Sequence, residues 1–369
     1  MKLPTLLLAT LALVPSATAD EGIIPGRWSE EKANAWYKEQ PWWVGCNFTP
    51  STAINQLEMW QAETFDPATI DRELGWASDI GMNTVRVYLH DLVWEKDGEA
   101  FLERIDRFLT IADKHGIGTM LVLCDAVWNP HPKLGRQPEP KPHVHNSGWV
   151  QSPHIEVLRD PARHDSLEPY FRGVIGRFKD DPRVVVWDLY NEPGNDGAGD
   201  AMSTEEKEKL GLMLLTKMFT WARDVNPSQP LTAGLWAREW TGPKATPVNI
   251  FMRDNSDVIS FHSYDGLERT AERVGSLKPF GRPLLCTEYI ARTNGSTFET
   301  HLPYFKANKI GAWNWGFVAG KIQTQYPWSS WRKKFTAEPE VWHHDVLRPD
   351  GTPFRKAEVE LIRKLTGKK

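Results

Sequence analysis

Eight short apolar runs recur along the chain, and helical periodicity or a loop separates each from the next. The runs are Trp43–Phe48, Thr84–Leu89, Gly118–Cys124, Val184–Tyr190, Leu231–Trp236, Val258–Tyr264, Leu284–Ile290 and Gly311–Phe317. Several are continuous and β-branched rather than alternating, as expected of strands covered on both faces. Between them, Asp66–Ile80 opens Asp-Pro and stops at Gly81, the signature of a capped helix. Glu99–His115 places Phe101, Ile105, Phe108 and Ala112 on one face and stops at Gly116. Further helices are predicted over Asp165–Phe178, Glu205–Val225, Glu268–Leu277, Phe298–Asn308 and Arg355–Leu365, with a short one over Asn249–Met252. Strands alternating with helices require a parallel sheet with crossovers. Eight such units in order predict an α/β fold, the (β/α)8 TIM barrel.

Two stretches break the rhythm. Ala126–His164 is rich in Pro, His and Gly, and Val318–Pro353 has no clear period. They are predicted to be long loops after strands 3 and 8, over one end of the sheet, and connections of that length are usually functional. No linker, repeat or low-complexity tract divides the chain. Residues 20–369 therefore read as one domain.

Residues 1–19 read as a secretory signal. Lys2 is the charged start, Leu6–Val14 the apolar core, and Ala17-Thr18-Ala19 the cleavage site. That core is too short to span a bilayer, and no later stretch is long and apolar enough to do so. The expected location is periplasmic or extracellular, with no membrane association after signal removal. A formal charge of −4 is too mild to argue for nucleic acid. Cys46, Cys124 and Cys286 form no disulfide framework, and all three lie in predicted strands, so buried free thiols are expected. The 18 tryptophans are the informative bias. An indole N–H needs a partner when hidden, so this many suggest an exposed aromatic cleft as well as a core. Sugar rings stack their C–H faces on indoles, which makes carbohydrate a natural ligand.

Val184–Pro193 reads Val-Val-Val-Trp-Asp-Leu-Tyr-Asn-Glu-Pro: a buried strand that turns polar and ends at a proline. Barrel enzymes carry their chemistry at such strand ends. Glu192 is there, and Glu288 lies near the end of the seventh strand in Leu-Leu-Cys-Thr-Glu-Tyr-Ile. Strands 4 and 7 face each other across a barrel mouth. Two carboxyls so placed can act as acid/base and nucleophile on a glycosidic bond, at a separation of roughly 5–5.5 Å in retaining enzymes. Arg86, a charge in the otherwise apolar second strand, is the candidate partner that keeps one carboxyl ionised. His262 and Tyr264 alternate on strand 6 and so share a face, suited to orienting the nucleophile and the sugar hydroxyls. Trp315 on strand 8 is the candidate floor for the sugar, although Trp313 shares its alternation.

Taken together, these residues resemble the retaining glycoside hydrolases built on a (β/α)8 barrel, family 5 (cellulase- and mannanase-like) above all. Asn191-Glu192-Pro193 looks like that family's acid/base motif, which implies that Asn191 binds the sugar 2-hydroxyl. Glu288 matches its strand-7 nucleophile, Arg86 the strand-2 arginine, His262-Ser263-Tyr264 the strand-6 pair and Trp315 the strand-8 platform. The resemblance covers essentially all of residues 20–369. One departure stands out: the family commonly has a sugar-contacting histidine at the end of strand 3, where this chain has Cys124-Asp125-Ala126-Val127-Trp128-Asn129. Asp125, Trp128 or Asn129 would take its place.

The implied function is hydrolysis of β-glycosidic bonds in a glucan, mannan or related glycan by double displacement, with no cofactor. A transglycosylase using the same glutamates and an inactive sugar-binding protein are the alternatives. The histidines of the first loop (His131, His143, His145 and His154) do not form a recognised metal-ligand spacing, and no metal site is expected. His343-His344 carries no signal of its own, and Glu239 after strand 5 reads equally as a subsite residue or a surface ion pair.

Overall fold

The computed structural model describes residues 22–195 and 202–368. The predicted signal at residues 1–19 lies outside the described residues. The strands are β1 (Val44–Asn47), β2 (Thr84–Tyr88), β3 (Gly118–Val122), β4 (Val184–Asp188), β5 (Leu231–Thr232), β6 (Ile259–His262), β7 (Leu284–Tyr289) and β8 (Gly311–Asn314). Every pairing is parallel, in the order β5-β4-β3-β2-β1-β8-β7-β6. The two ends of that order meet just beyond β5. Leu235 bridges Phe261, its N–H donates to Ser260 O at 3.0 Å and its carbonyl accepts from His262 N–H at 2.8 Å. The sheet is thereby drawn into a (β/α)8 barrel. This also explains why the ladder of β5 stops at Thr232 although the apolar run continues to Trp236. Past Thr232 the chain leaves β4 and crosses to β6.

The predicted helices are present with shifted ends. The helix expected from Glu99 runs over Asp91–Lys114, is capped by the His90 side chain, and bends at Asp97 (φ −156°, ψ 58°). Glu99 thus follows a kink within one helix and is not its start. The short helix at Asn249–Met252 extends over Pro247–Asn255, and Asp165–Phe178 divides into a 3-10 segment, Pro161–Leu167, and a helix, Glu168–Phe178. Besides the short helix Ile155–Arg159 inside the first long loop, two α-helices among the described residues went unpredicted. One is Gln56–Trp60. The other, Glu30–Lys38, starts at Ser29, whose hydroxyl accepts from Lys32 N–H.

The second of these closes the floor of the barrel. Its Trp36 and Tyr37 pack on Trp43, which packs in turn on Trp313 with ring centroids 5.8 Å apart. Met120, Val186, Val258 and Leu285 complete this plug. Trp313 is fully buried and its indole N–H donates to Thr84 Oγ1 at 3.2 Å. The alternation of Trp313 and Trp315 is therefore resolved: Trp313 belongs to the floor and Trp315 to the mouth. All three cysteines are buried and unpaired.

The two long loops are laced together over the mouth. Gln323 accepts from His143 N–H (2.8 Å) and donates to Lys141 O (2.7 Å). Ser330 Oγ accepts from His145 N–H at 2.9 Å, and Ile322 O from Asn146 N–H at 2.7 Å. His143 Nδ1 lies 2.6 Å from the Tyr326 hydroxyl. Most of these bonds engage backbone atoms, so the loops form one wall whose shape depends on both. No helix among the described residues is long and apolar enough to cross a membrane.

Candidate active site

Arg86 is the hub of the mouth. It is fully buried on β2, and every nitrogen of its guanidinium is used. Nε and Nη2 donate to Asp188 Oδ2 at 3.0 and 2.8 Å. Nη2 also donates to Asn191 Oδ1 at 2.7 Å. Nη1 donates to Asn47 Oδ1 at 2.8 Å, to Glu288 Oε1 at 2.9 Å and to the Tyr88 hydroxyl. A buried charge is tolerated only when paired and hydrogen-bonded in this way.

Glu288, on β7, collects further donors. The Tyr88 hydroxyl reaches Oε1 at 2.8 Å and the Tyr264 hydroxyl reaches Oε2 at 2.6 Å. Burial alone would raise this carboxyl. The nearby His262 imidazole, Arg86 and the two tyrosine hydroxyls outweigh it and hold Glu288 below its ordinary value. Glu192 has a different environment. His262 Nδ1 lies 2.8 Å from its Oε1, and Asn195 Nδ2 donates to its Oε2 at 2.7 Å. His262 Nδ1 is also 3.5 Å from Glu288 Oε2, so one imidazole sits between the two acids. A carboxylate oxygen of Glu192 lies within 4.8 Å of one of Glu288. That places the pair near the retaining separation, and short of the roughly 6.5–9.5 Å of inverting pairs. The same three groups have the spacing to hold a cation, but both oxygens of Glu288 are already engaged, Oε1 by Arg86 and Tyr88 and Oε2 by Tyr264.

Local backbone serves this geometry. Glu192 adopts φ +48° and Ile290 φ +70°, in a region that non-glycine residues seldom occupy. The first turn follows β4, where Asn195 N–H donates to Glu192 O at 3.0 Å. The second follows β7, where the buried His344 donates Nδ1–H to Ile290 O. His344 thus helps fix the strand end that carries Glu288.

A cavity of about 240 Å3 opens above the two acids. Glu192, Glu288, Asn191, Tyr264, Trp315 and Trp128 line it, together with Trp149, Trp236, Trp328, His145 and Asn146, among others. Trp315 packs edge-to-face against Tyr88 and Trp149, 5.8 and 5.7 Å away by ring centroids. His145 donates Nδ1–H to Tyr326 O at 2.8 Å, which leaves Nε2 as an acceptor, and burial pushes the imidazole down to about 4, so it stays neutral. Asn146 Oδ1 is buried without a hydrogen-bond partner among the described residues.

Of the three candidates at the end of β3, only Trp128 lines this cavity. Asp125 lies behind it, accepting from Asn191 Nδ2 (2.9 Å), Trp149 Nε1 (2.5 Å) and Gln56 Nε2 (3.1 Å). Burial pushes its carboxyl up to about 8 against those donors. Its geometric role is to fix Asn191 and Trp149. Asn129 is exposed and lines a neighbouring hollow. Glu239 forms a surface ion pair with Arg269 at 3.2 Å, in a separate depression. Tyr88, Asn47, Asp188 and Trp149 were missed. Tyr88 had a signal, since it alternates with Arg86 on β2. Trp149 had none, because it comes from the middle of an aperiodic loop.

Two facing carboxyls at this spacing on the C-terminal end of a (β/α)8 barrel define a retaining glycoside hydrolase. The chain belongs to the cellulase family, glycosyl hydrolase family 5, whose model matches residues 48–321. No curated protein matches the sequence. Solved structures with the same fold include a family 5, subfamily 18 enzyme from Streptomyces cattleya in complex with N-acetylglucosamine. It has TM-score 0.58 and 14% identity, over 88% of this chain and 80% of that one. The endo-β-1,4-mannanase of Thermotoga petrophila gives TM-score 0.56 at 15% identity, over 88% and 76%. The β-mannanase of the blue mussel Mytilus edulis gives TM-score 0.52 at 14% identity, over 74% and 86%. At these identities the likeness concerns the fold.

Proposed function

We propose that this chain is an exported enzyme that cleaves β-glycosidic bonds in a glucan, a mannan or a related glycan. Glu288 is the nucleophile and Glu192 the acid/base. The observation that carries this assignment is the asymmetry of the two acids: Arg86, Tyr88 and Tyr264 all donate to Glu288, and none of them donates to Glu192.

Glu288, held as the anion, attacks the anomeric carbon while Glu192 delivers a proton to the leaving oxygen. Glu192 then takes a proton from water, which attacks the glycosyl-enzyme and releases Glu288. His262 keeps Glu192 in place and lies close enough to both acids to follow each change of charge. Trp315 supplies the floor for the reacting sugar, and Asn191, clamped between Arg86 and Asp125, is positioned for its hydroxyl next to the reacting carbon. The mannanase folds among the similar structures support including mannan in the substrate class. The predicted signal at residues 1–19 supports export.

The test is a panel of β-glucans, β-mannans and related polysaccharides with product sizing, on wild type and Glu288→Ala. Shortened products from wild type and none from the variant are expected. Products longer than the substrate would assign transfer to sugar, and unchanged hydrolysis by Glu288→Ala would overturn the nucleophile assignment.

A further inference from the structure

Beside the cavity above the glutamates lies a larger hollow of about 520 Å3. The two share Trp128, Trp149 and Trp328, so a ligand leaving one enters the other along indole faces. Trp331 adds a fourth. Its ring stacks on Trp128 (centroids 5.9 Å, interplanar angle 29°) and is 40% exposed, one of few large apolar side chains left open to solvent. An exposed, stacked pair of indoles is a platform for a flat, partly apolar ligand face.

The polar side chains among the described residues that line this hollow are neutral or positive. Lys141 and Arg332 face the hollow with Asn129 and Ser147, and no carboxylate among the described residues lines it. Lys141 Nζ lies 5.0 Å from the Trp331 ring centre. Among the described residues neither Lys141 nor Arg332 forms an ion pair, whereas the nearby Arg136 pairs with Glu139. Lys333 and Lys334 follow Arg332 directly, with no acid between Trp328 and Ala337. On a chain of net charge −4 this local excess of cations is concentrated on the loop that forms one side of the hollow. The backbone here is braced: Lys141 N–H donates to Ser147 Oγ at 2.9 Å and Lys141 O accepts from Gln323.

We propose that this hollow is a subsite for an acidic sugar, next in the chain to the residue being cleaved. The indoles take the ring face, and Lys141 and Arg332 take a carboxylate or a sulfate ester. The inference rests on the glycan-cleaving reading above and narrows its substrate class to anionic or partly anionic glycans. A planar guanidinium and a mobile ammonium together suit an oxyanion.

The test uses matched pairs of polysaccharides: uronate-containing glycans against their carboxyl-reduced forms, and sulfated glycans against their desulfated forms. Binding is read by affinity electrophoresis for the wild type, for Lys141→Gln/Arg332→Gln and for Trp331→Ala. Both cations are exposed and outside the acid pair, so these variants should fold. The acidic member of at least one pair should bind about tenfold more tightly than its neutral form, and the double variant should lose that preference. The favoured pair separates carboxylate from sulfate. Raising salt should erase the preference, because the site is open to solvent. Trp331→Ala should weaken both members equally. No acidic preference in any pair, or a preference that the double variant keeps, would overturn the proposal. Binding needs no turnover, so hydrolysis that persists in Glu288→Ala would sink the catalytic assignment while leaving this one intact.

Discussion

The two ends of the barrel interior draw on one ring of strands and do opposite things. Near the floor, β3, β4, β7 and β8 contribute Met120, Val186, Leu285 and Trp313, an apolar plug capped by the helix Glu30–Lys38. A few residues further along, β2, β4, β6 and β7 supply Arg86, Asp188, His262 and Glu288. The first set is held by burial and shape. The second is held by charge-assisted hydrogen bonds among groups that would each be costly alone. Separating the two along the axis keeps the floor free of chemistry, while the mouth carries two acids, an arginine and an imidazole whose charges must stay mutually paired.

This contrast can be broken most strongly at Glu288. Glu288→Ala should lower kcat/KM by about 10,000-fold or more in steady-state assays, with the thermal unfolding midpoint little moved because Asp188 still pairs with Arg86. Next is Glu192→Ala, expected to cost about 100- to 10,000-fold on substrates with poor leaving groups and far less on activated aryl glycosides, with azide restoring turnover. Equal losses for both leaving-group classes would remove Glu192 from the acid/base role. Arg86→Met should destabilise by about 3–5 kcal/mol in denaturant titration, since it strands Asp188 and Glu288 in a dry site. It should also move the acid limb of kcat/KM to higher pH. The sign follows from Glu288 being held below its ordinary value: that contribution to stability is full above the ordinary glutamate range and is lost as pH falls through the depressed value. Without Arg86 the loss begins at higher pH. Trp313→Ala should cost a similar 3–5 kcal/mol or so through the cavity it leaves, yet kcat/KM per folded molecule should stay within a fewfold of wild type. If Trp313→Ala damaged catalysis as severely as Arg86→Met, floor and mouth would not be separable.

The eight strands and the two glutamates were legible because each rests on a local pattern. A buried strand writes itself as a β-branched run, and a functional strand end writes itself as polarity where the ladder should continue. Arg86 stood out for the same reason, as a charge in an apolar strand. What stayed hidden depends on contacts distant in sequence. Helix Glu30–Lys38 has mixed polarity because only Trp36 and Tyr37 meet the floor. The end of β3 shows why composition alone misleads there. Asp125, Trp128 and Asn129 are all polar-capable candidates, but the chain turns so that Trp128 reaches the cavity, Asp125 backs Asn191, and Asn129 faces the outer hollow. His145, Asn146 and Trp149 reach the sugar site from an aperiodic loop, held there by the loop after β8, a pairing that no spacing rule could supply.

The assignment of roles to the two glutamates is tested most directly by the product each variant makes in azide with an activated aryl β-glycoside that wild type cleaves. The anomeric configuration is read by proton NMR. Glu192→Ala should yield the β-glycosyl azide, because azide replaces water on the far side of a covalent Glu288 intermediate. Glu288→Ala should yield the α-glycosyl azide, because azide then attacks in place of the missing nucleophile. The reverse pairing, with the β-azide from Glu288→Ala and the α-azide from Glu192→Ala, would contradict the account.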